Sequence, residues 1–144
     1  MPFSSFFAAA DIGAIEHQAV PYDYWAGYSF IPGAPLTGAT DDYDGDGVAN
    51  WVEYYCGSRA TSGSSLPDFL HGPASPGVSF IYPLSRVAQP AYAKVQWSIN
   101  LNNWFSIGFT TTDTGIVNEL IQMRASQTVA APPGRLFWRL DRVP

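Results

Sequence analysis

Four acidic side chains and one amide recur at short, regular intervals near the middle of the chain. Asp42, Asp44 and Asp46 alternate with other residues, and Asn50 and Glu53 follow within the same stretch of twelve residues. Alternate residues of a tight loop direct their carboxylates toward a common centre, and Gly47 supplies the sharp turn that such a loop requires. Carboxylates held this close repel one another unless a cation lies between them. The spacing therefore predicts a cation site.

The spacing D-x-D-x-D-G-x5-E is that of an EF-hand calcium loop, with ligands at positions 1, 3, 5, 7, 9 and 12. Oxygen-only ligation favours a hard cation, and a flexible cage of seven oxygens suits Ca²⁺ better than the smaller, octahedral Mg²⁺. Position 7 contributes a backbone carbonyl, position 9 binds directly or through water, and position 12 contributes both carboxylate oxygens. The predicted metal ligands are Asp42, Asp44, Asp46, Val48, Asn50 and Glu53.

The net charge of −5 is concentrated in this stretch. Five of the twelve acidic residues lie between Asp41 and Glu53, and the other seven balance the seven lysines and arginines. Outside the loop the chain is formally neutral, so its acidity indicates a local cation site. Lys94 and the six arginines form no basic cluster, which argues against nucleic acid as a partner. No apolar run is long enough to insert into a membrane.

Catalytic patterns are missing from the sequence. His17 and His71 have no nucleophile or carboxylate at a recognised catalytic spacing, and we expect His71 to lie in a loop. There is no nucleophile elbow, phosphate-binding glycine loop or zinc-protease motif. The dense carboxylates are better explained as metal ligands than as a glycosidase pair. The sequence predicts a protein that is not an enzyme.

The elements that position the loop fall into three sections of one domain. Residues 1 to 40 comprise an apolar lead, a short helix over 22 to 28 and a Pro/Gly-rich connection; residues 41 to 57 form the loop and an exiting helix capped by Gly57. Pro32 and Pro35 exclude an entering helix, and the sequence has no second calcium loop. We therefore expect a constitutive structural calcium site and not a calcium sensor. The apolar lead over residues 3 to 10 is expected to pack on its own domain or on a neighbour.

The third section, residues 66 to 144, follows a Ser/Gly-rich linker and is predicted to consist of strands. Apolar residues alternate over 78 to 84 and 93 to 98, and further strands are predicted over 104 to 110, 120 to 125 and 136 to 142. High aromatic, Gly and Pro contents agree with short strands joined by turns. The fold class is therefore mostly β, a β-sandwich preceded by a short helical segment that carries the calcium loop.

The aromatic residues of the strand section allow a second kind of binding. Trp97, Trp104, Phe105 and Tyr92 could together form a platform on which sugar rings stack. Strand alternation places Trp97 beside Val95, which favours core packing for Trp97 and leaves Trp104 as the open case.

The compartment is inferred from calcium and cysteine together. Cys56 is the sole cysteine, so no disulfide forms within the chain. A calcium ion can supply the cross-link that small extracellular domains otherwise take from disulfides. The apolar lead has no positive charge before it and lacks the signal-peptide pattern, yet a weak calcium site still favours an extracellular or cell-surface setting.

From Tyr24 to Leu140 the chain resembles a C-terminal module of large secreted bacterial proteins, and its loop resembles those of dockerins and thrombospondin type 3 repeats. The resemblance rests on Asp42 to Gly57 (D-x-D-G-D-G-x-x-N-x-x-E-Y-x-x-G), Ser98 to Trp104 (S-x-x-L-x-x-W, with Asn103 before the Trp) and Phe137 to Leu140 (F-x-R-L). It implies a calcium loop leading into a β-sandwich, with no catalytic role. Cys56 departs from the small apolar residue of the pattern.

These observations predict a non-catalytic, calcium-stabilised structural or adhesive module. Two alternatives stay open at this point: a subunit of a self-assembling surface filament or surface layer, with other protein subunits as partners, and a carbohydrate-binding module, with glycans as partners.

Overall fold

The computed structural model describes residues 19 to 63, 67 to 73, 78 to 128 and 136 to 143. The apolar lead and His17 lie outside the described residues. Two helices come first, followed by six strands with one 3₁₀ turn, Pro90–Tyr92, between the second and third. The helices are α1 (Tyr22–Ser29) and α2 (Asn50–Cys56); the strands are β1 (Leu70–Pro73), β2 (Val78–Leu84), β3 (Ala93–Ser98), β4 (Phe109–Val117), β5 (Leu120–Gln127) and β6 (Phe137–Arg142).

Both helices end where local sequence requires it. Helix α1 confirms the predicted segment and ends just before the Pro/Gly-rich connection, where proline cannot continue a helix. Helix α2 ends at Gly57, whose φ of 84° is left-handed, as predicted for its cap. A Cβ at Gly57 would also collide with the side chain of Leu120 on β5. The glycine therefore allows the end of α2 to lie directly against the sheet.

The strands form two antiparallel sheets, which confirms the prediction of a mostly β fold. The larger sheet has the order β1-β2-β5-β4, and the smaller one pairs β3 with β6. In the larger sheet Phe80 lies opposite Ala125, and in the smaller one Trp97 lies opposite Trp138. The rings of Phe80 and Trp138 stack with centroids 5.8 Å apart, so side chains of the two sheets pack against each other.

The predicted strand over residues 104 to 110 was wrong. Of residues 104 to 107 only Phe105 makes a β-bridge, to Trp97, and the strand β4 begins at Phe109 and runs on to Val117. All residues from Thr110 to Val117 are exposed. The alternation rule missed this strand because it has no buried face, and its antiparallel pairing with β5 defines it instead.

Two further expectations need correction. His71 lies in β1, opposite Phe80, and not in a loop. Trp97 lies outside the buried core: it is half buried, its ring contacts Phe105 at 4.9 Å between centroids, and its indole N–H donates to the carbonyl of Ile107. The β-bridge between Trp97 and Phe105 explains these contacts, because it brings the Phe105 end of the turn beside Trp97.

Aromatic side chains join the helices to one another. The ring of Tyr54 on α2 lies 5.6 Å from that of Tyr22 and 5.5 Å from that of Trp25, both on α1, measured between centroids. Such edge-on pairs add about 0.5 to 1.5 kcal/mol each beyond the burial of their surface. Helix α2 is thus fixed to α1 although only two turns of each helix exist.

Helix α2 is also hydrogen-bonded to the chain on either side of it. The Tyr54 hydroxyl donates to the Val20 carbonyl and accepts from the backbone N–H of Gln89, and the Tyr55 hydroxyl donates to the carbonyl of Pro90. The backbone carbonyl of Tyr55 accepts from Ser85, directly after β2. Within the described residues, no helix has the length and apolarity that a membrane span needs.

Candidate metal centre

Three aspartates of the acidic loop converge. One carboxylate oxygen from each of Asp42, Asp44 and Asp46 lies within 4.8 Å of the others, and all three side chains are partly buried. The loop enters from the Pro/Gly-rich connection and leads directly into α2. The alternating positions predicted to face a common centre therefore do so.

Asp42 shapes the loop. Its two carboxylate oxygens accept hydrogen bonds from the backbone N–H groups of Gly45 at 2.9 Å, Asp46 at 3.2 Å and Gly47 at 2.7 Å. The bond from Gly47 is the main cause that lowers the pKa of Asp42 below its usual value, because it stabilises the ionised carboxylate. Gly45 and Gly47 have φ angles of 72° and 90°, which glycine adopts without strain.

Four buried carboxylate oxygens of this loop have no hydrogen-bond partner among the described residues. They are Oδ2 of Asp44, Oδ2 of Asp46 and both Oε1 and Oε2 of Glu53. The other oxygens of the two aspartates accept backbone N–H groups, from Asp46 at 3.3 Å and from Val48 at 2.8 Å. Each aspartate thus uses one oxygen to hold the loop and leaves the other unpaired.

Glu53 has the most unfavourable environment of the four carboxylates. Its side chain, on the first turn of α2, is 0% exposed. Burial, followed by the negative charges of Asp44 and Asp46, raises the pKa of Glu53 to about 8. Burial also raises the pKa of Asp44. A buried carboxylate without a partner costs several kcal/mol, which a bound cation would offset.

The side chain of Asn50 braces the acidic loop. Its side chain is 0% exposed, its amide N–H₂ donates to the carbonyls of Leu36 at 2.9 Å and Gly38 at 3.0 Å, and its Oδ1 accepts from the N–H of Tyr43 at 3.0 Å. These three bonds hold the incoming connection against the start of α2. The geometry favours Asn50 as a brace for the loop over Asn50 as a direct ligand.

Replacing Asn50 with alanine should destabilise the protein whether or not metal is present. The change removes the partner of the Leu36 and Gly38 carbonyls and of the Tyr43 N–H, at a cost of about 1 to 3 kcal/mol for each group that water cannot reach. We expect a loss of about 2 to 4 kcal/mol in the free energy of unfolding. Urea denaturation in calcium and in chelator measures it; a loss seen in calcium alone would instead make Asn50 a ligand.

Two neighbours of the cluster complete the loop. The backbone N–H of Val48 bonds to Asp46, which fixes the residue predicted to offer its carbonyl. Asp41 lies outside the group of converging carboxylates: its Oδ2 accepts the backbone N–H of Gly38 at 2.9 Å. Asp41 therefore closes a turn before the loop.

Cys56 and Trp104, which the sequence analysis singled out, both make contacts within the protein. Cys56 is fully buried, and burial raises the pKa of its thiol, which keeps the thiol protonated and unreactive. The guanidinium of Arg139 lies 4.1 Å from the ring centre of Trp104, in a cation–π contact that covers one face of the indole.

The described residues thus define a mostly β protein with an acidic loop in which three aspartates converge and could hold a cation. No family model, curated protein or solved structure matches the chain. The resemblance to a secreted bacterial module therefore stays a prediction.

Proposed function

We propose that this protein is a non-catalytic extracellular module that binds one calcium ion at the acidic loop and uses it to stabilise its fold. One observation carries the proposal: four oxygens of Asp44, Asp46 and Glu53 are buried without a hydrogen-bond partner among the described residues, and the charges of Asp44 and Asp46 act on Glu53. Three acidic groups in a row would be weak support by themselves. The fully buried Glu53, which comes from a different element, supplies independent support.

The proposed ligands follow from which oxygens are unpaired. Asp44 and Asp46 each contribute Oδ2, Glu53 contributes both carboxylate oxygens, and Asp42 contributes one oxygen that it shares with its backbone hydrogen bonds. The carbonyl of Val48 is the proposed neutral ligand. An all-oxygen set with a bidentate glutamate suits Ca²⁺ better than Mg²⁺ and offers Zn²⁺ neither nitrogen nor sulfur.

A structural role follows from the position of Glu53. The next two residues of α2, Tyr54 and Tyr55, hydrogen-bond to Val20, Gln89 and Pro90 on separate parts of the chain. An ion that holds Glu53 therefore fixes the helix through which those segments meet. We propose that the ion holds the N-terminal segment to a β-sandwich formed by the two sheets, which the stacking of Phe80 on Trp138 supports.

Calorimetric titration of calcium into the chelator-treated protein tests the proposal. We expect one site with a dissociation constant on the order of 10⁻⁶ to 10⁻⁴ M, and weaker binding of Mg²⁺. Asp44→Asn should weaken binding at least tenfold, since it removes one ligand charge. The matched control is Asp113→Asn, which changes an exposed aspartate on β4 and should bind as the parent protein does. The absence of saturable calcium binding would refute the proposal.

A further inference from the structure

Strand β4 lies at one edge of the larger sheet, and the described residues leave its outer side unpaired. The sheet order β1-β2-β5-β4 gives β4 a single neighbour, β5. The side chains from Thr110 to Val117 are all exposed, so no described element covers either face of the strand there. An open edge of this kind presents a row of backbone N–H and C=O groups with which another strand can pair.

The backbone groups that point outward follow from the pairing with β5. The carbonyl of Gly108, just before β4, accepts the N–H of Thr128, just after β5, at 2.9 Å. Hydrogen-bonded and non-hydrogen-bonded pairs alternate along antiparallel strands. The next residues of β4 that bond to β5 are therefore Thr110 and Thr112, and the residues between and beside them point their backbone groups outward. The outward N–H and C=O groups are those of Phe109, Thr111 and Asp113.

The other sheet edges that the structure describes have features that discourage pairing. Strand β1, at the opposite edge of the larger sheet, has only four residues and ends in Pro73. In the smaller sheet, β3 is bridged by Phe105, and β6 includes two arginines and an aspartate. Short length, proline and charged side chains all oppose the addition of a strand. Strand β4 has nine residues, and from Phe109 to Thr112 it has neither proline nor charge.

The open edge is held in position before a partner binds. The ring of Phe109 packs edge-on against that of Trp138 in the smaller sheet, with 5.7 Å between centroids. A bulge between Asp113 and Gly115 bends the strand after its regular part. The edge available for pairing is therefore the regular segment from Phe109 to Asp113. Because this segment is already ordered, pairing adds little ordering cost.

We propose that a second copy of this chain pairs with this edge through its own β4, antiparallel and about a two-fold axis at Thr111. In that register Thr111 lies opposite Thr111 of the second copy, and Thr110 lies opposite Thr112. The run of three threonines is thus complementary to itself, and cross-strand threonine pairs stabilise antiparallel strands. Asp113 falls opposite Phe109, whereas a register centred on Asp113 would place two like charges opposite each other, which is unfavourable.

A dimer of this kind closes on itself. The two four-stranded sheets join into one with the order β1-β2-β5-β4-β4-β5-β2-β1, and its two ends are the short β1 strands. A two-fold contact uses the same surface on both copies and leaves no further copy of that surface open. A dimer, and not an extended filament, is therefore the expected assembly.

Analytical ultracentrifugation of the full chain in calcium-containing buffer tests the pairing. The contact of one strand pair is small, so we expect a reversible dimer with a dissociation constant on the order of 10⁻⁵ to 10⁻³ M. Thr111→Lys and Thr111→Asp should each raise this constant at least about tenfold, because two like charges then lie opposite each other. An equal mixture of the two variants should recover the dimer, because the charges are then opposite. Thr111 is exposed, so both variants should fold, which melting curves verify.

Two control variants separate the edge from general effects of substitution. Thr111→Val keeps the branched shape and the backbone groups, and Thr61→Lys adds the same charge at an exposed position outside the sheets. Both should dimerise as the parent protein does. A parent protein that stays monomeric throughout the concentration range would overturn the proposal, since another segment or another protein would then use the edge. A dimer that tolerates both charged variants, or that their mixture does not restore, would overturn it as well. None of these outcomes depends on whether the acidic loop binds calcium.

Discussion

Removal of calcium with an excess of chelator is expected to lower the melting temperature of the protein by about 5 to 10 °C. An ion present at 100 times its dissociation constant adds about 2.7 kcal/mol to the free energy of unfolding by mass action. For a domain whose total stability is about 5 to 15 kcal/mol, this is a substantial share. Differential scanning calorimetry in calcium and in chelator measures the shift.

Variants separate loss of the ion from other effects of the chelator. Asp44→Asn should show little difference in melting temperature between calcium and chelator, whereas Asp113→Asn should keep the full difference. An equal melting temperature for the parent protein under both conditions would contradict a stabilising ion.

Replacing Glu53 with glutamine is expected to stabilise the metal-free protein at high pH and to destabilise the calcium-bound protein. Without metal, the buried carboxylate is repelled by Asp44 and Asp46, and a neutral amide of the same shape removes that repulsion. Above pH 8 the metal-free variant should therefore be more stable than the metal-free parent. In calcium the variant should be the less stable of the two, since it has lost a bidentate charged ligand.

The pH dependence of the metal-free parent follows from the same side chain. Its pKa is about 8 in the folded protein and 4.5 for the free side chain, so between these values the folded state holds a proton that the unfolded state has lost. The stabilisation from this proton on Glu53 is fully present below pH 4.5 and is lost as pH rises through 8. The free energy of unfolding falls by up to about 1.4 kcal/mol per pH unit between these values. The lowered pKa of Asp42 lies below this range and does not contribute to it.

Urea denaturation between pH 5 and 9 measures both effects. The metal-free parent should lose stability across this range, and Glu53→Gln should lose clearly less, because only the smaller contributions of groups such as Asp44 and Cys56 remain in the variant. Calcium should abolish the loss in the parent, because the ion binds the ionised carboxylate. A flat profile for the metal-free parent would mean that Glu53 is ionised without cost and that its environment is not the one described.

Two kinds of element could be predicted from sequence: strands in which apolar and polar residues alternate, and turns that need a backbone conformation favoured by glycine. The alternating residues of β2 and the left-handed glycine at 57 are an example of each. Strand β4 could not be found in this way, since Thr110 to Val117 are exposed on both sides. Strand β1 has only four residues and includes a glycine and a proline, which disfavour strands. Pairing with β2 and β5 makes strands of both.

The candidate site also has features that could be predicted from sequence and features that could not. The convergence of Asp42, Asp44 and Asp46 follows from their spacing, and the structure brings them together. The bracing role of Asn50 could not be predicted, because it depends on the carbonyls of Leu36 and Gly38, which belong to the irregular connection before the loop.

The acidic loop differs from the sheets in how far apart its partners lie along the chain. Its carboxylates all come from residues 42 to 53, whereas Ser98 on β3 pairs with Phe137 on β6, and Leu84 on β2 pairs with Ile121 on β5. Short loops cost less entropy to close than long ones, so contacts of low sequence separation form first. The proposed ion site can therefore form early in folding, and an ion bound there would stabilise the seven-residue helix α2 before the two sheets assemble around it.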